Sequence, residues 1–313
     1  MAITCTWWKP GTSCWRSAIL AAMKEKDPII EIILAPLNYP FMVRGLIAAL
    51  MVGIVSATVG TYVVLRGMAF FGDALAHAIL PGIAIGYLVG GGARGPLFWW
   101  ALLTGILTSM GIGAVAKGAK VKEDTAIGII FAGMFALGIA LISTSGSYTV
   151  DLTHFLFGNV LGVSTGDLWR TGTFAGLIIL AILLFYKEFL VLSFDPVLAS
   201  TLRLPARFFE YLLLVLIATA IVVSLQTVGV ALMVAMLITP AATAYLLTHR
   251  LPTMMLLAAT IGSISGVVGL YVSYYLNVAS GPVIVLMTTA LFLVAWLAKT
   301  LQASRREWEP GRG

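Results

Sequence analysis

Runs of about twenty consecutive apolar residues fill most of this chain, and they constrain its fold more than any other feature. The hydrocarbon core of a bilayer is about 30 Å thick, which a helix of roughly 20 apolar residues crosses. Nine such runs lie at about 41–65, 71–92, 96–116, 125–144, 168–187, 208–225, 229–248, 253–275 and 281–299. Pro81 and Pro240 are expected to break the second and seventh runs, so eight full spans plus one irregular segment is the alternative count. Only 10% of the residues are charged and 60% are hydrophobic, whereas a soluble domain carries about 25% charged residues. The composition therefore specifies a multi-pass membrane protein whose first partner is the lipid bilayer.

Backbone polar groups in lipid must be satisfied within the span, which leaves helices or closed barrels. Alternating barrel strands do not produce apolar runs this long and continuous. The predicted fold class is an all-α membrane protein, a polytopic bundle of eight to nine transmembrane helices. Glycine is abundant, at 32 copies, and small residues recur along the runs: Gly53, Ala57 and Gly60; Gly105, Ser109 and Gly113; Gly262, Ser265, Gly266 and Gly269. They predict close helix packing. Cys5 and Cys14 are the only cysteines; both lie near the N-terminus, without the clustered spacing of a zinc site or a disulfide framework. The net charge of +6 resides in loops and tails, as membrane orientation requires, and implies no nucleic-acid partner.

Basic residues gather at Lys117, Lys120 and Lys122, at Lys187, Arg203 and Arg207, at His249 and Arg250, and at Lys299, Arg305, Arg306 and Arg312. Connections near 145–167, 225–229 and 276–281 hold no Lys or Arg. The positive-inside rule makes the first group cytoplasmic. With nine spans, Arg66 is then inside and the N-terminus outside. Residues 1–36 are set apart as an interfacial or disordered extension, because the apolar patch near 17–23 is too short to span. Residues 37–300 form the transmembrane domain and 301–313 a cytoplasmic tail.

Two connections predict structure of their own. In 193-SFDPVLASTLRLPAR-207, Asp195 suits a helix N-cap, Pro196 the first helical position and Pro205 a stop, so a short cytoplasmic helix is expected over about 196–203. It either closes a loop or docks a soluble partner. On the outer side, 150-VDLTHFLFGNVLGVSTGDL-168 predicts a short re-entrant or interfacial helix. Its Asp151 and His154 are three residues apart and can share a face. They are either a helix cap beside an interfacial histidine or metal contacts.

Asp73 and His77 lie inside an apolar run, in 71-FGDALAHAILPG-82. An aspartate at the centre of a membrane helix costs about 2.5–3.5 kcal/mol, so such residues face a cavity, a pathway or each other. A rise of about 1.5 Å per residue from Arg66 puts Asp73 roughly 10 Å and His77 roughly 16 Å into the membrane. Spaced i and i+4, they share one helix face. Pro81 has no N–H for the carbonyl of residue 77, so a kink beside His77 and a freed carbonyl are expected. Asp oxygen with His nitrogen suits Mn²⁺, Fe²⁺ or Zn²⁺. Two ligands are too few for a site, and a symmetric dimer would supply four.

On these residues, 63-VVLRGMAFFGDALAHAILPGIAIGYLVG-90 resembles the permease subunits of bacterial ABC importers for manganese, zinc and iron, the ABC-3 family. The segments 150-VDLTHFLFGNVLGVS-164, 194-FDPVLASTLRLPAR-207, 228-VGVALMVAMLITPAATA-244 and 274-YYLNVASGPVIVL-286 extend the resemblance in order along the chain. It implies a type II ABC importer permease in the bacterial cytoplasmic (inner) membrane. The implied assembly is a homodimer with two cytoplasmic ATPase subunits and an extracytoplasmic metal-binding protein. It further implies a pathway site at Asp73 and His77 in each chain. Asp151 and His154 are, by their own spacing and outer-side position, candidate inlet-side contacts. An ATPase-docking helix follows over 195–205, with Asp195, Pro196, Leu198, Ala199, Leu202 and Leu204. No permanently bound cofactor is implied: the metal is cargo, and ATP binds the partner subunit. Manganese is slightly preferred over zinc or iron, on the oxygen ligand of Asp73 and the lack of thiolates along the spans.

Two rival readings remain at this stage. A proton-coupled secondary transporter also uses Asp–His relays. The sequence carries no G-x-x-x-x-G-K-[ST] phosphate loop, so it is not itself the ATPase under either reading. An intramembrane metalloprotease needs a motif such as H-E-x-x-H, whereas 73-DALAH-77 has one histidine and no glutamate.

Overall fold

Helix boundaries follow the punctuation of the apolar runs. The computed structural model describes residues 34–90, 94–144, 160–194 and 205–307, in two units, residues 1–43 and 44–313. In the first, the described residues form a 3₁₀ turn, Pro36–Asn38, and a pair of rings, Tyr39 and Phe41, with centroids 5.5 Å apart.

The helices are α1 (Pro40–Leu65), α2 (Phe71–Ala78), α3 (Leu80–Gly90), α4 (Arg94–Gly118), α5 (Glu123–Ser143), α6 (Thr165–Leu184), α7 (Tyr186–Phe194), α8 (Ala206–Val228), α9 (Val230–Leu247), α10 (Leu251–Leu276) and α11 (Ser280–Glu307). Taking α2 with α3 as one span, nine helices among the described residues are long and apolar enough to cross a membrane.

Their ends have identifiable causes. At the end of α1 the Met68 N–H reaches the Val63 carbonyl and the Gly67 N–H the Val64 carbonyl, at 3.0 and 3.1 Å. This Schellman closure requires a left-handed residue, supplied by Gly67 at φ 70°. Gly229, at φ 85°, separates α8 from α9, and Asn277 ends α10 at φ 53°. α6 opens with a capping box between Ser164 and Asp167. α5 carries Glu123 and Asp124 in its first turn, where the helix dipole favours anions.

Three expectations are corrected or extended here. Helix α9 continues through Pro240 instead of breaking. Buried Leu237, Pro240 and Ala241 are held by α10 and α11, and in membranes such packing offsets the lost hydrogen bond. Helix α7 follows α6 after Phe185 and carries helix to Phe194, beyond the span expected to end near 187. Between residues 145 and 165 the described part is a 3₁₀ turn, Val160–Gly162. Of the stretch 150–168, where a short helix is expected, residues 150–159 lie outside the described residues, as does the helix expected over about 196–203.

Small residues set the packing. A Cβ on Gly53 would stand 3.1 Å from the Gly262 carbonyl carbon, so α1 and α10 meet backbone to backbone. One on Gly60 would overlap the Leu237 carbonyl oxygen of α9. Ser56 and Ser224 share a buried hydrogen bond of 3.1 Å between α1 and α8, and Thr171 and Thr227 another of 2.8 Å between α6 and α8. Helices α5, α6 and α11 leave large apolar side chains uncovered, among them Ile129, Leu180 and Leu286. In a bilayer those faces meet lipid or another protein.

Gly60→Ala is expected to destabilise the purified protein by about 1–3 kcal/mol, because the Leu237 backbone must shift. Gly111→Ala, where nothing lies within 4 Å, should leave thermal unfolding in detergent unchanged.

Candidate metal pathway site

The turn at Gly67 delivers the chain into α2, a helix surrounded by α4, α5, α8 and α9. Phe71, Gly72, Ala74, Leu75, Ala76 and Ala78 are all buried. The two residues of α2 that remain accessible are Asp73 and His77, with side chains 41% and 28% exposed. The one uncovered strip of this helix is therefore its polar face. Glycine and alanine elsewhere on α2 let the neighbours close in, and Gly72 sits against Leu237 of α9.

The expected break is present. α2 ends at Ala78 and α3 begins at Leu80, one residue before Pro81. Neighbouring helices clamp it: a Cβ on Gly138 of α5 would lie 2.7 Å from Leu80 Cβ and 3.1 Å from Pro81 Cδ, and one on Gly82 would meet Thr104 and the Trp100 carbonyl of α4. At the break the Ile79 N–H stays bonded to the Leu75 carbonyl at 3.2 Å. The accessible side chains of α2 are Asp73 and His77.

His77 Nε2 and Asp73 Oδ1 stand 3.8 Å apart, too far for a hydrogen bond. Two ligands bonded to one ion at about 2.0–2.2 Å can span such a gap. His77 Nδ1 is buried and lacks a hydrogen-bond partner among the described residues. The pair does not satisfy itself, and both groups retain capacity for a third partner. No cluster of three or more His, Cys, Asp or Glu occurs among the described residues, which bring together only this pair here.

Sequence reasoning missed the wall beside this pair. Phe131 and Phe135 of α5 stack with centroids 5.7 Å apart, and their rings lie 6.3 and 5.8 Å from the imidazole of His77. Phe70 meets Phe131 edge-on at 5.9 Å. The i,i+4 spacing of the two phenylalanines was visible in the sequence, but the pairing of α5 with α2 is tertiary. Asp151, His154, Asp195, Pro196, Leu198, Ala199, Leu202 and Leu204 lie outside the described residues.

The charged residues converge at another end of the fold. Arg66, Lys117, Glu123, Glu210 and Tyr211 line a cavity of about 30 Å³, roughly the volume of one water. Lys117 pairs with Glu210 and lies 5.6 Å over the Tyr211 ring. Burial pulls the Arg66 guanidinium below its usual range, and Glu123 opposes that shift. Arg66 and Arg207 both repel Lys117, so basic residues from three separate connections do gather on one side, as the orientation argument requires.

The described residues thus form a multi-pass helical bundle whose one broken span leaves a carboxylate and an imidazole accessible. The sequence profile of the ABC 3 transport family matches residues 38–299, and the chain belongs to that family. It is 50% identical over 261 residues to the Manganese transport system membrane protein MntC of Listeria innocua, covering 83% of this chain and 91% of that protein. It is 39% identical over 267 residues to the Chelated iron transport system membrane protein YfeD of Yersinia pestis, covering 85% and 88%. Among solved structures, PsaBC from Streptococcus pneumoniae in complex with Fab superposes with a TM-score of 0.74 at 41% identity, covering 86% of this chain and 95% of the other. The protein is thus a multi-pass permease of an ABC metal importer in the bacterial inner membrane. Its relatives leave the proton-coupled secondary transporter without support.

The Lys117–Glu210 pair is testable by charge exchange. Lys117→Glu and Glu210→Lys should each lower stability by on the order of 1 kcal/mol, modest because both groups are partly exposed. The double exchange should recover most of that loss in thermal unfolding.

Proposed function

We propose that the chain forms half of the translocation pathway of an ATP-driven manganese importer. The observation that carries this reading is that Asp73 and His77 alone interrupt the buried surface of α2, beside a proline break at membrane depth. Intramembrane ionisable groups at that cost are expected to serve a pathway. The manganese and iron systems named among the relatives favour a divalent transition metal, and the 50% identity with a manganese system favours manganese.

The functional unit in this proposal is a homodimer. A two-fold axis beside α2 and α5 brings two Asp73 carboxylates and two His77 imidazoles round one ion. The face of α5 that carries Gly128, Ala132, Ala136 and Ala140 permits close approach of a second copy. An extracytoplasmic metal-binding protein delivers the ion on the side where the connections lack Lys and Arg. Asp151 and His154 act as inlet-side contacts there. Two cytoplasmic ATPase subunits engage 195–204 through Asp195, Pro196, Leu198, Ala199, Leu202 and Leu204.

Each liganding group has a definite task. Asp73 supplies charge that offsets desolvation of the cation, and His77 supplies a nitrogen that prefers first-row transition metals. The ion must bind well enough to enter and weakly enough to leave, which four ligands shared between two separable chains allow. Opening the dimer at one end divides the set.

The test is reconstitution of the permease with its ATPase and binding protein in liposomes. Asp73→Ala and His77→Ala should each cut ATP-dependent manganese uptake by more than about tenfold, with assembly intact. Undiminished uptake without nucleotide would overturn the importer reading, and normal uptake by either variant would remove that residue from the pathway.

A further inference from the structure

We infer that Phe131 and Phe135 sharpen the choice of divalent ion in the pathway, by refusing the water that magnesium retains. This rests on the pathway reading of Asp73 and His77, and it assigns a part of the metal discrimination, beyond the nitrogen of His77, to two side chains that hold no ligand atom.

The geometry is that of a dry wall. The two rings stack at 26° with centroids 5.7 Å apart and flank the imidazole at 6.3 and 5.8 Å. Phe70 braces Phe131 at 87°. On the helix itself, Ala74, Leu75, Ala76 and Ala78 are buried and apolar. His77 Nδ1 finds no hydrogen-bond partner among the described residues. One side of the imidazole is thus walled by two phenylalanine rings, while the other stays accessible together with Asp73.

An ordered water needs two to four polar partners, and this wall provides none. Mg²⁺ dehydrates reluctantly and usually keeps several of its waters, while Ca²⁺ takes six to eight oxygen ligands. Neither matches a set with one carboxylate and one imidazole per chain behind aromatic rings. Fe²⁺ and Zn²⁺ suit an imidazole, and Mn²⁺, although it shares the oxygen preference of Mg²⁺ and Ca²⁺, belongs with Fe²⁺ and Zn²⁺ to the transition series that nitrogen sites bind. The carboxylate attracts any cation and the imidazole favours the transition metals; the rings add to that selection by what they fail to hydrogen-bond. A polar side chain at 131 or 135 would give retained water a partner and admit the harder ions.

The experiment uses the complete reconstituted transporter and measures ATP-dependent uptake of radioactive manganese against increasing Mg²⁺ or Ca²⁺. In Phe131→Ser and Phe135→Ser the concentration of Mg²⁺ that halves manganese uptake should fall by about tenfold or more. Phe131→Leu and Phe135→Leu keep the wall apolar and should hold the wild-type value. If the serine variants fail to assemble, Phe135→Tyr, which adds one hydroxyl to the same ring, reads the same quantity. An unchanged ratio in the polar variants, or an equal fall in the leucine variants, overturns the inference. Failure of wild-type uptake, or normal uptake by His77→Ala, sinks the pathway reading instead, so the two failures are told apart.

Discussion

Within a bilayer no water serves a broken hydrogen-bond ladder, and that constraint governs where this protein can carry chemistry. The span containing Asp73 breaks at Ile79. The break is sustained because the Ile79 N–H remains bonded to the turn behind it, and because Gly138 and Gly82 bring α5 and α4 against the adjoining residues. A helix interrupted in lipid would expose carbonyls. Clamped between two others, it exposes only the strip that bears the carboxylate and the imidazole.

The same constraint explains the distribution of glycine. Leu237 of α9 lies against both Gly60 of α1 and Gly72 of α2, so one residue sets the spacing of three helices. Apolar side chains gain little from meeting one another in lipid, and van der Waals contact at short range becomes the main source of association. Glycine provides the short range. Pro240 sits one turn beyond Leu237, yet the helix holds its course because its neighbours are that close.

Much of this was legible in the sequence. The apolar runs located the nine spans, the Arg and Lys clusters anticipated the meeting of Arg66, Lys117 and Arg207, and the i,i+4 spacing put Asp73 and His77 on one face. Pro81 marked the break. Pro240 carried the same local signal without the same outcome, since the difference lies in tertiary packing that no local rule contains. The aromatic wall was hidden for a related reason: Phe131 and Phe135 read as ordinary membrane residues until α5 is known to lie beside α2. The continuation of α6 into α7 escaped because the apolar run was read only as far as Lys187.

Helix α5 ties these features together. Glu123 at its start faces the charged cavity with Arg66 and Lys117, Phe131 and Phe135 at its middle line His77, and Gly138 beyond them bears on the break in the metal-site span. At about 1.5 Å per residue, those points are spread over roughly 22 Å of one rigid rod. A tilt sufficient to disturb the contact at Glu123 must also move the rings against the imidazole, unless the helix bends, and α5 contains no proline to bend it. A displacement at the charged end, where Glu210 lies in the first turns of α8, is therefore passed to the rings beside His77. Because the opposite face of α5 is largely uncovered, the position of this helix also depends on what packs there. A second copy of the chain on that face would complete the ligand set and fix the wall by the same contact.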